Sequence, residues 1–390
     1  MIKVWSRSRV LRSPTRRPRG LGIRGLLGVT AVAVATILTT GGVPVAAGSS
    51  TGSASHRFVF YPPKVPPQYG VHIMVNTKPY QRKPPFIIGY ADASLSNSWR
   101  IMAKAEVEWG ISLTHGLAKL VYTNANNSTS QQIADVEDLL ARHVDAIILA
   151  ATNTSALCPS IAKAVAQHVP VLILERAVSC RSYTEFINDR DNDNGYLQGA
   201  WVAQRLHGHG NVVIIGGQQG NGATIDEVDN ALKILHRYPG IHVLTTQYAD
   251  YEPGKCKEIM QALLARYPKI DAVESISGNQ GVGCYDAVKA AGRVSQIKAW
   301  TGDDANGWMK IVARTHIPSI MTPIPVDAGK YAVLQAVKIL EGKPVPEDFI
   351  VPKPNITPEN IAHYVKFNRP DEWWWSGGLP CKFDPYCPHK

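Results

Sequence analysis

From Phe86 onward, short apolar runs alternate with longer amphipathic stretches, and few folds accept that rhythm. The runs are Phe86–Tyr90, Leu120–Tyr122, Ala146–Ala150 and Val171–Leu174, then Val212–Ile215, Ile241–Leu244, Ala272–Ile276 and Ile297–Trp300. The stretches between them predict helices over 99–114, 129–142, 155–167, 193–207, 223–237, 254–266, 281–291 and 326–341. Ile133, Val136, Leu139 and Leu140 show the helical spacing most clearly. Strands separated by helices form parallel α/β sheets, and runs that are apolar without alternation fit strands covered on both faces. The phrase Asp145-Ala-Ile-Ile-Leu-Ala150 has a counterpart in Lys269-Ile-Asp271-Ala-Val-Glu274. Two such helix-turn-strand units in successive halves of the chain predict two lobes of related architecture.

In open sheets of this kind ligands bind beyond the carboxyl ends of the strands. The residues there are Asp92 to Arg100 after the first run, Thr152-Asn153-Thr154 after the third and Glu175-Arg176 after the fourth. In the second half they are Gly216 to Gly222, Ser277-Gly278-Asn279-Gln280 and Thr301 to Asn306. Amides, hydroxyls and paired charges both donate and accept hydrogen bonds, as neutral polyhydroxylated ligands require, and a tryptophan suits the flat C–H faces of such ligands. Each residue has a structural alternative. Ser96 or Asn97 would cap the helix starting near Ser98, Trp99 would fill its core, Asp303 or Asp304 would cap the next helix, and Glu175-Arg176 would be a local ion pair.

Enzyme and nucleotide motifs are missing. The segment Gly216–Gly222 matches neither GxxxxGK[ST] nor GxGxxG, and there is no GxSxG elbow and no HExxH. The pair Asp303-Asp304 would suit a sugar hydrolase but sits beside amides that suit binding equally well. Asp189 to Gly195 comes nearest to a calcium loop, yet Ala200 stands where its closing acid belongs. No catalytic residue, metal or cofactor is expected.

The first 47 residues carry Lys3, Arg7, Arg9, Arg12, Arg16, Arg17, Arg19 and Arg24 without any acid, followed by a soft apolar run from Leu26 to Leu38 and small residues around Val45-Ala46-Ala47. That order is an export signal; an uncleaved anchor and a twin-arginine signal are the lesser alternatives. The signal holds eight of the chain's 41 basic residues, leaving 33 against 31 acids, so the net charge of +10 belongs mostly to it. No basic stripe argues for nucleic acid. All six cysteines follow the signal, where an oxidising compartment makes them disulfide staples, and we expect the sequential pairing Cys158–Cys180, Cys256–Cys284 and Cys381–Cys387. Residues 48–85, rich first in Gly, Ser and Thr and then in Pro, read as a lead-in.

Over about residues 86–350 the chain resembles the periplasmic binding proteins of the ribose, galactose and allose type, the solute receptors of ABC importers. The landmarks are Ser96-Asn97-Ser98-Trp99, Asp191-Asn192-Asp193-Asn194-Gly195-Tyr196-Leu197-Gln198-Gly199, Ser277-Gly278-Asn279 and Gly302-Asp303-Asp304. The resemblance implies a type 1 periplasmic binding protein: an α/β fold of two Rossmann-like lobes with parallel sheets, joined by a three-stranded hinge. The N-terminal lobe would run 86–190 plus 323–350, the C-terminal lobe 191–322 plus 351–370, with an extension at 371–390. It implies a monomeric, non-catalytic receptor in the periplasm. Its partners would be a small sugar and an ABC transporter permease, or a sensor kinase if the ligand is an osmolyte or another polar solute. Ligand contacts would come from Ser96, Asn97, Trp99, Asn153, Glu175 and Arg176 on one lobe and from Gln218, Asn221, Asn279 and Asp303 on the other.

Three departures bear on the ligand. Glu175 stands where the family has Asp. Ile225 and Glu227 lie where relatives place a ligand-binding arginine. Met321-Thr322-Pro323-Ile324-Pro325 replaces a hinge segment in which a ligand-binding glutamine is common. The extension is unusual too: Trp373-Trp374-Trp375 leads to Cys381 and Cys387. Packing against the lobe that resumes near Asn355 is the expectation for these tryptophans, with a docking surface as the alternative.

Overall fold

The computed structural model describes residues 59–388 except 63, 65–69, 355, 357, 358, 376 and 377, and omits the side chains of 191 and 192. The expected export signal and the start of the lead-in lie outside the described residues. Among the described residues, no helix is long and apolar enough to cross a membrane.

Two parallel sheets carry the molecule. The first has six strands in the order Asp348–Ile350, Glu185–Asn188, Val171–Leu174, Ala146–Leu149, Phe86–Asp92, Ala118–Asn124. Alternate side chains of one strand serve opposite faces. Ile148, Leu172 and Leu174 pack with Ala332, Val333 and Ile339 of the helix Ala328–Leu340. Ile147, Leu149 and Ile173 pack with Val136 and Leu139 of the helix Thr129–Ala141 and with Ile161. The second sheet has five strands in the order Ser319–Met321, Ala299–Gly302, Ala272–Ser275, His209–Gly216, Gly240–Tyr248. Val212 and Ile214 face Trp201, Val202 and Leu235, whereas Val213 and Ile215 face Met260, Leu263 and Val288. Both sheets are thus covered on both faces, which is why their strands read as unbroken apolar runs.

The chain passes between the lobes three times: at Asp189–Arg190, at 322–327 and after Ile350. Arg190, the residue before the helix Asp191–Arg205, takes a left-handed conformation with φ of 69°. Thr322 is held by the second sheet through its N–H to Gly302 O (2.9 Å). Beyond Ile350 the chain returns to the second lobe, where Ile356, Ile361, Val365, Trp373 and Trp374 join its core.

The structure adds elements that periodicity did not reveal. The strand Glu185–Asn188 opens on a buried acid, whose Oε1 accepts a bond from Gln335 Nε2 (2.6 Å). The helix Asn306–Thr315 follows Asp303-Asp304, and the strands Ser319–Met321 and Asp348–Ile350 have three residues each. The lead-in contributes a strand as well: Met74–Val75 pairs antiparallel with Val345–Pro346. The cysteines are paired Cys158–Cys180, Cys256–Cys284 and Cys381–Cys387. Of the three tryptophans, Trp373 and Trp374 are buried and Trp375 is half-buried against Tyr364. For two of the three, inward packing holds rather than a docking surface.

The phrase ending in Gly199 now has a physical reason. Gly195 and Gly199 lie one turn apart on the helix Asp191–Arg205 and face the backbone of the helix Gly222–Leu235. A Cβ on Gly199 would stand 2.8 Å from Ala231 O, and one on Gly195 would collide with Glu227 O. The two helices can approach this closely only without those atoms, and Glu227 sits at the contact. Gly199→Ala is expected to destabilise the protein by about 1–3 kcal/mol, seen as a lower denaturation midpoint at unchanged m-value; an unaltered midpoint would refute the packing argument.

Candidate functional site

The two rows of strand carboxyl ends face a common, closely walled cleft with about 30 Å³ of room for the centre of a water-sized sphere. On the first-lobe wall Asn97 caps the helix Ser98–Leu113 by accepting a bond from Arg100 N (3.0 Å). The helix thereby starts where it sends Trp99 and Arg100 into the cleft. Trp99 is buried, and its indole N–H donates to Ile324 O in the crossing segment (2.9 Å). The Arg100 guanidinium, also buried, pairs with the Glu175 carboxylate. Glu175 has φ of 62° and is shared with Arg176, whose Nε lies 3.5 Å away. Burial opposes the Arg100 charge, but Glu175 and Asp92 outweigh it and hold the group protonated beyond its ordinary range. Arg176 is lowered, by burial first and then by the like charge of Arg100. Asp92, at the end of the first strand, accepts from Tyr122 OH (3.2 Å), and burial raises its pKa.

The second-lobe wall is built from helix starts and strand ends. Glu227 projects from the second turn of the helix Gly222–Leu235. Ser277 and Asn279 flank the start of the helix Gly278–Ala290, where Asn279 Nδ2 donates to Tyr251 O (2.8 Å). Tyr251 OH bonds Thr224 Oγ1 (2.8 Å). Asp303 follows the strand Ala299–Gly302 and accepts from Ala305 N (3.1 Å); burial pushes its carboxyl up to about 7. Asp304 turns away to accept from Ile324 N (3.0 Å), and burial holds its pKa well above the usual carboxylate range. Glu227 is also raised, by burial first and then by Asp189, Asp303 and Glu274.

A third contribution arrives from the far end of the chain. Trp374 bridges Ala305 of the second lobe antiparallel, while its indole N–H donates to Ser98 Oγ of the first (2.8 Å). Around it, Asn306 N donates to Trp373 O and Gly307 N to Asp371 O, both at 3.0 Å, so this segment satisfies the open N–H groups of the helix Asn306–Thr315. Trp373 Nε1 and Arg369 both hold Asp384 (3.3 and 3.0 Å).

Of the ten ligand contacts expected from sequence, the cavity wall brings together Asn97, Trp99, Glu175, Arg176, Asn279 and Asp303. Several of these perform the structural alternative as well, since Asn97 caps, Trp99 packs and Glu175 pairs. The other four stand behind or beside the wall. Ser96 bonds Ser94 Oγ (3.0 Å) and Asn127 (3.3 Å). Asn153 turns back onto the N–H groups of Ser155 and Ala156, each at 3.0 Å. Gln218 supports Arg176 from 3.3 Å, and Asn221 caps its helix through Thr224 N (2.9 Å). Sequence reasoning did not assign Arg100, Glu227, Tyr251, Ser277, Ile324 or Trp374 to the wall, where they lie. For Glu227 the signal was available, an acid where relatives carry an arginine. Among the described residues, no three His, Cys, Asp or Glu side chains are arranged to hold a metal ion.

Two α/β lobes with a polar cleft between their strand ends and three connections define an extracytoplasmic solute receptor, non-catalytic by family and fold. The chain belongs to the periplasmic binding proteins: the model of the periplasmic binding protein domain matches residues 88–344. A xylitol-binding protein of Mycolicibacterium smegmatis is 27% identical over 246 residues, covering 62% of this chain and 70% of its own. A ribose import binding protein of Bacillus subtilis is 26% identical over 271 residues, covering 69% and 87%. Among solved structures, the fructose-binding periplasmic domain of a hybrid two-component system superposes with a TM-score of 0.65 at 26% identity, over 71% of this chain and 92% of that one. An ABC transporter solute binding protein of Bacillus halodurans with bound myo-inositol shares the fold, with a TM-score of 0.66 at 24% identity, over 73% and 98%. Trp374 lies beyond the matched domain.

The buried acids set a pH dependence. Burial raises Asp303 to about 7 and Glu274 to about 8, and also Glu185, next to Gln335, to about 8. A carboxyl raised on folding binds its proton more tightly in the native state, so stability is full below the unfolded pKa and is lost as pH rises through the folded one. The melting temperature is expected to fall from about pH 5 to about pH 8, and Glu274→Gln to flatten part of that slope. A melting temperature that rises over this window would contradict the burial of these acids.

Proposed function

We propose that the protein captures a small sugar or polyol in this cleft and delivers it to an ABC transporter permease. The carrying observation is the convergence of donors and acceptors from both lobes on one cavity: the buried Arg100, Arg176 and Glu175 from the first, the half-buried Asn279 and the buried Asp303 from the second. Arg176 and Glu175 grip ring hydroxyls, Asn97 and Asn279 add amide bonds, and the rings of Trp99 and Trp374 cover the C–H faces. Closure of the lobes over the ligand is the state a membrane partner reads. Relatives named for xylitol, ribose and fructose support the polyhydroxylated class. In this reading the receptor works as a monomer in the periplasm after export through its N-terminal signal. Its lobes run 86–190 with 323–350 and 191–322 with 351–370. A second reading, a sensor that passes its closed form to a receptor kinase, is favoured by the likeness to the periplasmic domain of a two-component system.

Thermal shift against pentoses, hexoses, pentitols, inositols and small osmolytes tests the ligand class. A saturable shift with one polyhydroxylated compound is expected, lost in Trp99→Ala and in Asn279→Ala. A shift with osmolytes alone would overturn the sugar reading. Loss of uptake of that compound when this gene is deleted supports the importer reading, and unchanged uptake with a lost transcriptional response supports the sensor reading.

A further inference from the structure

The two walls of the cleft differ in charge balance. On the first-lobe wall the guanidiniums of Arg100 and Arg176 have two carboxylates for company, Glu175 and Asp92. On the second-lobe wall Glu227 and Asp303 line the cavity, with Asp189, Glu274 and Asp304 behind them, and none of the five is more than 2% exposed. The cation acting on this group, Lys353, is taken up by Asp189 (3.3 Å) and Asn194 (2.9 Å). Among the described residues, no ion pair joins Glu227, Asp303, Asp304 or Glu274. Glu227 Oε2 and Asp303 Oδ2 also lack a hydrogen-bond partner there, although both side chains are almost wholly buried.

We propose that the cleft takes a polyol bearing a positively charged nitrogen, an amino sugar or amino cyclitol, with its ammonium group on Glu227 and Asp303 of the second-lobe wall. This rests on the receptor reading above and narrows its ligand. A hydroxyl can donate to a carboxylate but leaves its charge buried without a counter-charge, whereas an ammonium brings three donors and the missing charge together. The high pKa values of Glu227 and Asp303 are those of acids lacking such a neighbour, and an ammonium group would draw both down. No three of these acids converge as metal ligands do, which favours an organic cation. Tyr251 and Trp374 line the same cavity and supply the aromatic surface on which ammonium groups settle. Arg100 Nη1 on the opposite wall, which lacks a hydrogen-bond partner, is a donor for the hydroxyl end of the same molecule.

Calorimetric titration with matched pairs that differ only in one hydroxyl or amine tests this: D-glucose and D-glucosamine, D-galactose and D-galactosamine, myo-inositol and an amino-inositol, xylitol and its 1-amino analogue. At least one amine is expected to bind about tenfold or more tighter than its hydroxyl partner. In Glu227→Gln, checked for folding by its melting curve, that preference is expected to fall below about threefold. Asp303→Asn serves as the second variant should Glu227→Gln fail to fold. Hydroxyl members that bind as well as the amines in every pair overturn the inference and leave the sugar reading standing. A preference unchanged in both variants overturns the assignment of the ammonium site. No binding by any member overturns this inference together with the polyol reading.

Discussion

A guanidinium buried without a counter-charge would cost several kcal/mol, and the first-lobe wall exists because Glu175 removes that cost for Arg100. The pair joins the first helix to the end of the strand Val171–Leu174. Its geometry requires Glu175 to leave the strand in a left-handed conformation, unusual for a residue with a Cβ, which turns the carboxylate back toward both arginines. With Arg100 fixed, Asn97 can cap the helix and Trp99 can reach Ile324 in the crossing segment. The ligand-facing surface is therefore held by the same bonds that close the core. A ligand bound here as proposed would meet groups already oriented, so little further ordering would be required on binding.

The helix–helix contact behind Glu227 shows the same economy on the other lobe. Gly195 and Gly199 let two helices touch along their backbones, and that contact carries Glu227 into a region from which water is excluded. The acid keeps its high pKa because the packing leaves it no room to turn toward solvent. If Glu227 meets the ligand as proposed, specificity is thus partly a property of glycines that never touch it.

The lobes were legible in the sequence because strands covered on both faces leave long apolar runs, and Ile147 to Leu149 or Val212 to Ile215 can hardly be read otherwise. Glu185–Asn188 and Asp348–Ile350 were hidden for the opposite reason. Each opens on an acid that is buried only because a distant partner receives it, Gln335 for Glu185 and the backbone N–H of Gly70 for Asp348. Periodicity reports on apolar side chains and is blind to such pairings. At the site, topology marked the strand-end segments, and the family resemblance singled out Asn97, Glu175, Asn279 and Asp303 within them. Whether a strand-end amide faces the cleft or its own backbone is decided by local turns, which is why Asn153 and Asn221 point inward to N–H groups. Trp374 is separated from its neighbours in space by some of the longest stretches of chain, Ser98 above all, and nothing local marks it.

Trp374 rests one hand on each lobe, its backbone on Ala305 and its indole on Ser98. Any rotation that parts the lobes must break one of these holds. The proposed opening of the cleft would therefore strain a segment outside the matched domain, anchored through Trp373, Asp384 and the Cys381–Cys387 bridge. A receptor whose competent form is already populated binds with an apparent affinity nearer its intrinsic one. On the proposed receptor reading, substitutions in the tail would tune affinity while leaving the ligand's hydrogen bonds untouched.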